Sequence, residues 1–338
     1  GERAETVDNT TKYSPDSGAQ LTEARPFNLM FKTYVGPVES EDGIAYLRPE
    51  TAQAIFAQFK NVLETSRQRV PFGIAQVGKA FRNEVTPRNF TFRSREFEQM
   101  ELEFFTPPGE AMEWFERFRE IRMRWHHDIG LDPAKLRWHA HGADELAHYA
   151  KAAYDVVFEF PFGWHELEGV HHRGDFDLRQ HSEHSGKDQS YTDPEAKERY
   201  FPYVIETSVG VDRCLLALLA SAYQEDEVGG EKRVVLRLTP QIAPIKVAVL
   251  PLSKKLAAPA EKIAADLRRR FAVDFDLPGS IGKRYRRQDE VGTPLCVTYD
   301  FDSEQDQKAT VRERDTTKQE RIALSQLPAY LSERILGF

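Results

Sequence analysis

The sequence predicts an α/β (α+β) protein of two domains, an antiparallel-sheet domain followed by a smaller α/β domain. Two observations carry this. Both flanks of the stretch FRNEVTPRNFTFRSREFEQMELEFF, Phe81 to Phe105, alternate with the two-residue period of a strand and are joined by a loop that holds Pro87, as in a hairpin. Beyond Ala243, strand-like and helix-like segments alternate, which indicates a mainly parallel sheet. A chain of 338 residues with 40% hydrophobic content is long enough to bury two separate cores.

Taken in order, residues 1–24 are polar with no apolar period and read as loop or disordered. From Pro49 a helix is expected, because Ala52, Ile55, Phe56, Phe59, Val62 and Leu63 recur at helical spacing behind a proline suited to the first turn. In the hairpin, Gln76, Gly78, Arg82 and Glu84 share one face; Arg93, Arg95, Phe97, Gln99 and Glu101 share another, with Met100, Leu102 and Phe104 facing a core. Pro107-Pro108-Gly109 ends the strand, and an aromatic-rich helix from Ala111 to Ile129 opens an insertion of about 106–200. His171, His172, His181 and His184 fall there, but their spacing matches no common zinc pattern, so a polar loop is expected. Pro202–Glu206 reads as a buried strand, and Gly210 leads into an apolar helix through Leu219, which sets Arg213 in a first helical turn near the positive end of the dipole. Gly229-Gly230 and Thr239–Pro244 mark a domain boundary. The resulting division is 1–24, 25–242 and 243–338.

Charge and cysteines narrow the function classes. The net charge of −8 argues against a general nucleic-acid coat, yet residues 243–338 hold 17 basic and 14 acidic residues, a net +3 against −11 for the remainder. Lys283, Arg284, Arg286 and Arg287, dense on one helix of that part, are candidates for contact with the phosphates of a nucleic acid. The longest apolar run, Cys214 to Ala222, is about half of a bilayer span, and the N-terminus lacks a signal pattern, so no membrane association and a cytoplasmic address are expected. Cys214 and Cys296 have no CxxC partner and are expected to be buried free thiols.

The hairpin chemistry suits a nucleotide. Arg82 offers a planar fork of donors to a phosphate or carboxylate, Phe97 offers a base a stacking face, and Glu84 can accept from an exocyclic amine. On these residues the chain resembles the class II aminoacyl-tRNA synthetases, and among them the homodimeric type of glycyl-tRNA synthetase. Arg82-Asn83-Glu84 with Phe92 to Glu101 is similar to motif 2, and Gly210-Val211-Asp212-Arg213 before Cys214-Leu-Leu-Ala-Leu-Leu is similar to motif 3. Tyr46-Leu-Arg-Pro-Glu-Thr-Ala-Gln53, Glu166-Leu-Glu-Gly169 and Tyr203-Val-Ile-Glu-Thr-Ser208 resemble glycyl-specific segments. The resemblance runs from about Arg25 to the C-terminus, so the chain is expected to correspond to the latter part of a synthetase, without motif 1. Thr207 stands where the family usually has proline.

The resemblance implies a class II antiparallel-sheet catalytic domain followed by an anticodon-binding domain, and the ligation of glycine to tRNA(Gly) with ATP and Mg²⁺. ATP would be held by Arg82, Asn83, Glu84, Phe92, Arg93, Ser94, Arg95, Glu96, Phe97, Glu166, Leu167, Gly210, Val211, Asp212 and Arg213. Arg82 would contact the α-phosphate and Arg213 the γ-phosphate, which makes these two the catalytic residues, since no protein nucleophile is needed. Glycine would meet Glu50, Phe97, Glu98, Gln99, Met100, Glu101, Glu206, Thr207, Ser208, Val209 and Gly210, and Mg²⁺ would meet Glu166 and Glu206. A homodimer is implied as well. The rival reading is a non-catalytic nucleic-acid-binding accessory protein on the same fold. Such a protein has no reason to keep Arg82, Glu84, Phe97 and Arg213 together, and an ATP-using ligase that ignores tRNA would have no use for a basic C-terminal domain.

Overall fold

The computed structural model describes residues 13–14, 17–22, 27–142, 146–147 and 150–337. Most of the polar segment expected at 1–24 lies outside these. The chain divides into two compact units, one of Gly1–Glu120, Trp138–Val157 and Glu166–Cys214, the other of Ile121–Arg137, Phe158–His165 and Leu215–Phe338.

The chain first forms a short hairpin, β1 (Lys32–Tyr34) and β2 (Ile44–Tyr46). Helix α1 (Ala52–Thr65) starts three residues after Pro49 and buries Ala52, Ile55, Phe56 and Phe59, the stripe its period requires. The long hairpin β3 (Phe72–Phe81) and β4 (Glu96–Thr106) follows, with Gln76 opposite Glu101 and Ala80 opposite Phe97. Then come α2 (Ala111–Asp128), β5 (Leu136–Ala140), β6 (Ala152–Phe160), β7 (Gly163–Gly174), α3 (Phe176–Ser185), the small pair β8 (Tyr191–Thr192) and β9 (Arg199–Tyr200), β10 (Tyr203–Gly210) and α4 (Val211–Ala222). Six strands make one sheet in the order β3-β4-β10-β7-β6-β5. Phe105 and Val204 pack on α1 at one face, while Leu102, Phe104, Val170 and Ile205 pack on Phe115 and Phe118 at the other. A sheet covered on both faces explains why β4 carries apolar side chains on one side and, on the other, a row still more deeply buried: Gln99, Glu101, Glu103 and Phe105.

The four histidines do not form a polar loop. His171 and His172 sit in β7, with His172 buried, and His181 and His184 sit on α3. Residues 163–174 read poorly as a strand because polar side chains fill its buried face. Among the described residues no group of three metal-ligating side chains converges.

In the second unit, Gly229 and Gly230 are the turn of a hairpin, β11 (Tyr223–Val228) and β12 (Glu231–Leu236), rather than a domain boundary; both have positive φ, at +64° and +82°. The α/β portion then runs β13 (Val247–Pro251), α5 (Ala257–Leu267), β14 (Val273–Phe275), α6 (Ile281–Val291), β15 (Leu295–Tyr299), α7 (Ser303–Asp306), β16 (Lys308–Glu313), β17 (Gln319–Ala323) and α8 (Leu327–Leu336). Its sheet order is β14-β13-β15-β16-β17. The sheet is mixed: β13 pairs parallel with β14 and β15, but β16 and β17 add as antiparallel strands. Residues of α5 and α8 join one core with Val247, Val249 and Val297; Ile281 and Tyr285 of α6 pack with Ala248, Leu250 and Cys296. Cys214 and Cys296 are both buried, and burial pushes the Cys296 thiol up to about 12.

The basic run on α6 is not a free patch. Arg284 is buried and donates to the carbonyls of Pro251 (2.7 Å) and Asp276 (3.2 Å). Arg287 is paired with Asp276 at 2.7 Å, and Arg286 reaches Glu231 of β12 at 3.5 Å. Among the described residues, Lys283 alone of the four is exposed and without an ion pair. One turn in the helix decides this, because residues 284 and 288 face inward.

Candidate active site

Three adjacent strands bring the polar side chains together. Ser208 of β10 lies opposite Glu101 of β4, Glu206 lies opposite Glu103, and His171 of β7 lies opposite Glu206. Directly paired residues project to one face, so residues remote in sequence meet there. Thr207, the departure from proline, keeps regular pairing with Leu102 and Val170.

Glu101, 3% exposed, accepts at both oxygens. Thr51 donates its N–H (2.8 Å) and its hydroxyl to Oε2. Ser208 Oγ (2.9 Å) and Gln99 Nε2 (2.6 Å) donate to Oε1. Gln99 Nε2 also donates to Ser208 Oγ at 2.9 Å, so two acceptors converge on a single nitrogen. Burial, and then the negative field of Glu206, raise the Glu101 carboxyl despite its bonds to Thr51 and Ser208.

Glu206 is equally buried. Its Oε1 meets His171 Nδ1 at 2.5 Å and its Oε2 accepts from Arg173 Nη1. Burial works against its charge, but Arg173 and His171 overcome it and hold the carboxyl down at about 2. Arg173 is fixed in turn by Asp177, which accepts from Nε and Nη2 at 2.8 Å each. The His171 ring lies over Gly169, where a Cβ would stand 2.5 Å from Cε1; this is the reason that position takes glycine. Between Glu101 and Glu206, Glu103 is fully buried with neither oxygen hydrogen-bonded, and burial followed by the Glu206 field raises its carboxyl well above the usual range.

Two residues along β4 from Gln99, the character changes to cationic. Arg82 stands 5.5 Å from the Phe97 ring centre and donates from Nε to the Pro49 carbonyl at 3.0 Å. Arg213 lies 4.3 Å from the Phe92 ring centre, donates to the Glu166 carbonyl at 2.8 Å, and has its Nη1 3.3 Å from the Glu166 carboxylate. Burial lowers the Arg213 guanidinium; Glu166 opposes the shift, and the nearby Arg93 and Arg82 add to it. Three guanidiniums that repel one another in a partly buried site are a site suited to an anion. Arg93 meets Glu84 at 3.2 Å, and Asp212 holds the start of α4 to β4 by accepting from the Glu98 N–H at 2.9 Å.

Several expected residues play other parts. Asn83 donates to the Asn28 carbonyl (3.1 Å) and anchors that segment. Glu96 and Glu98 are exposed on the face opposite Phe97, and Glu96 pairs with Lys79. Arg95 donates to the Glu84 carbonyl, and Ser94 to the Glu96 carbonyl. Leu167 and Val209 are core side chains, so only their backbone can serve a ligand. Glu206 is buried with each oxygen engaged, whereas Glu166, with a side chain 57% exposed, is the more accessible acidic metal candidate. Glu50 accepts from Gln53 at 2.9 Å beside the pocket. Thr51, Gln53, Glu103, Arg173 and Asp177 were not anticipated from the sequence. Glu103 was legible, because the alternation that groups Gln99 with Glu101 extends to it.

Comparison with known proteins agrees with this geometry. Residues 37–222 match the tRNA synthetase class II core domain (G, H, P, S and T), and residues 246–334 match an anticodon binding domain. The chain is 60% identical over 322 residues to the glycine–tRNA ligase of Caldanaerobacter subterraneus subsp. tengcongensis, covering 95% of this chain and 70% of the relative. The chain belongs to the glycine–tRNA ligases. Its likeness to other members is similar: 57% to that of Alkaliphilus oremlandii and 55% to that of Bacillus cereus, again over 95% of this chain and 70% of each relative. As a member of this family it is a class II enzyme, and the cluster at Arg82, Phe97 and Arg213 falls inside the matched core. Among the described residues no helix is long and apolar enough to cross a membrane.

Proposed function

We propose that the chain joins glycine to tRNA(Gly) in two steps, forming glycyl-adenylate from glycine and ATP and then passing the glycyl group to the terminal ribose of the tRNA. The observation that carries this reading is the adjacency, along one face of β4, of a guanidinium cluster and a buried carboxylate pocket. Two opposite charges define the substrate pair: a polyphosphate for the arginines and an ammonium for the carboxylates. Phe97 stacks on the adenine ring, Arg82 spans the α-phosphate and the glycine carboxylate, and Arg213 holds the far phosphates. Preorganised donors aimed at charge that builds on the α-phosphate supply most of the acceleration in such a site.

Glycine selection follows from the Gln99 nitrogen. Glu101 Oε1 and Ser208 Oγ already converge on an N–H₂ group there, which is the donor geometry that an ammonium presents. Glycine binding moves the Gln99 amide aside and puts its own ammonium between these acceptors. Glu206, closed by His171 and Arg173, acts through its field. In this reading a substituent on the α-carbon would meet the wall of the pocket, and steric exclusion rejects larger substrates more effectively than a cavity rejects smaller ones.

Mg²⁺ fits at Glu166, a solvent-open carboxylate beside the phosphate arginines, because the ion keeps most of its waters and takes one or two carboxylates together with phosphate oxygens. When bound it neutralises phosphate charge. Residues 25–242 form the catalytic domain and 243–338 the anticodon-binding domain, in a homodimer acting in the cytoplasm. Glycine-dependent ATP–pyrophosphate exchange tests the reading. Glu101→Gln and Glu206→Gln should raise the glycine KM and leave the ATP KM in place; a defect confined to ATP overturns it.

A further inference from the structure

Arg173 is a buried cation beside the glycine pocket that meets no substrate in the mechanism above, and the way it is held is informative. It sits at the end of β7, and the tight turn through Gly174 (φ +65°) leads into α3, so Asp177 in the first turn of that helix comes back onto it at i+4. Nε and Nη2 both go to Asp177 at 2.8 Å; Nη1 goes to Glu206. The three side chains are at most 5% exposed, and the guanidinium lies over Phe56 at 5.3 Å from the ring centre. Asp177 also accepts from Gln53 Nε2 at 3.4 Å, and the same Gln53 nitrogen donates to Glu50 at 2.9 Å.

We infer that Asp177 is a positioning residue for glycine: by taking two arms of Arg173 it keeps that cation from closing bidentately on Glu206, and so preserves the negative field into which the ammonium binds. A guanidinium is a planar fork that matches a carboxylate with two parallel donors. Buried beside Asp177 and Glu206, Arg173 can make that fork with only one of them, and the geometry assigns the fork to Asp177. Were Asp177 uncharged, the full positive charge would fall to Glu206. Buried charge is poorly screened, so the change would reach Glu101, whose strand neighbour Glu103 lies opposite Glu206. Asp177 touches no reacting atom. It lies on α3, outside every segment that the motif 2 and motif 3 resemblance marks, and its effect is on affinity for one substrate.

The inference rests on the glycine pocket proposed above. The test is ATP–pyrophosphate exchange and thermal unfolding of Asp177→Asn, Asp177→Glu, Glu101→Gln and Glu206→Gln. Asp177→Asn, which keeps the shape but removes the charge and replaces one of the two acceptor oxygens with an amide N–H₂, should raise the glycine KM about ten-fold, the size of one lost charge contact, with ATP KM and kcat near native. Asp177→Glu retains the charge on a longer arm and should fall between Asn and the native enzyme. Equal losses for glycine and ATP, or a drop in kcat and unfolding temperature with the glycine KM unmoved, would mean a purely structural pair and sink the inference. If Asp177→Asn does not fold, Asp177→Glu decides alone: a raised glycine KM at native ATP KM supports the role, and a native glycine KM ends it. Should Glu101→Gln and Glu206→Gln leave glycine untouched, the pocket reading itself fails. If they impair glycine while Asp177→Asn does not, only the positioning role is wrong.

Discussion

Around Glu206 buried carboxylates outnumber buried guanidiniums, whereas around Asp289 the guanidiniums are in excess and each is satisfied. In the first cluster Glu101, Glu103, Glu206 and Asp177 gather about Arg173, with His171 at the edge. In the second, Asp289 is bound by Arg312 at 2.8 and 3.0 Å and by Arg233 at 3.3 Å. Arg233 also pairs with Asp226 of β11 and donates to the Arg314 carbonyl, and Arg314 donates to the carbonyls of Gly292 and Leu238. Here carbonyls absorb the surplus donors, and the network ties the β11–β12 hairpin to α6 and β16. An ionic cluster closed on itself is structural. One left with surplus negative charge and an orphaned acid is the kind of arrangement that the proposed ammonium site requires.

The largest expected effect breaks the closed network. Asp289→Ala leaves Arg233 and Arg312 buried without a shared counter-charge, and breaking a buried pair in this way costs about 3–5 kcal/mol. Denaturant unfolding should show it, while a near-native midpoint would mean that water reaches the site. Next is Arg213→Ala, which removes a fork donor from the anion site and should cost ~2–4 kcal/mol of transition-state stabilisation in adenylate formation. Single-turnover rates at saturating ATP measure this, and Arg213→Lys should recover only part, because a point charge cannot reproduce the fork. Glu101→Gln comes third, at about 1.5–3 kcal/mol in glycine affinity for one charge-assisted contact.

The smallest effect is in the pH dependence of stability, and it separates the members of the open cluster. Glu206 is held at about 2, against 4.5 for an ordinary glutamate, so its contribution is present above 4.5 and is lost as the pH falls toward 2. Glu101 and Glu103 are raised above 4.5, so the folded state binds their protons more tightly; their contribution is full below 4.5 and declines as pH rises through the folded values. Glu103→Gln should therefore flatten the decline on the alkaline side of 4.5 while leaving the acid limb intact. Unfolding free energies measured from pH 3 to pH 8 would show the two limbs, and an unchanged slope above 4.5 rules out a raised Glu103 carboxyl.

Much of this was readable in the chain itself. The two-residue alternation from Phe97 to Glu101 groups the nucleotide and glycine side chains, the stripe Ala52-Ile55-Phe56-Phe59 makes a buried helix face, and the turn before Arg213 sets it at a helix start. Backbone periodicity is local, so residues a few positions apart reveal which side chains share a face. Tertiary structure alone decided the rest. Ser208 reaches Glu101 across 107 residues and Gln53 reaches Asp177 across 124, contacts that depend on strand order and on where α3 is packed. The same holds for Arg284, which reads as a surface cation until its carbonyl partners at Pro251 and Asp276 are in view. Whether a charge faces a ligand, a partner or the core depends on what lies opposite it, and in this protein the opposite residue is usually far away in sequence.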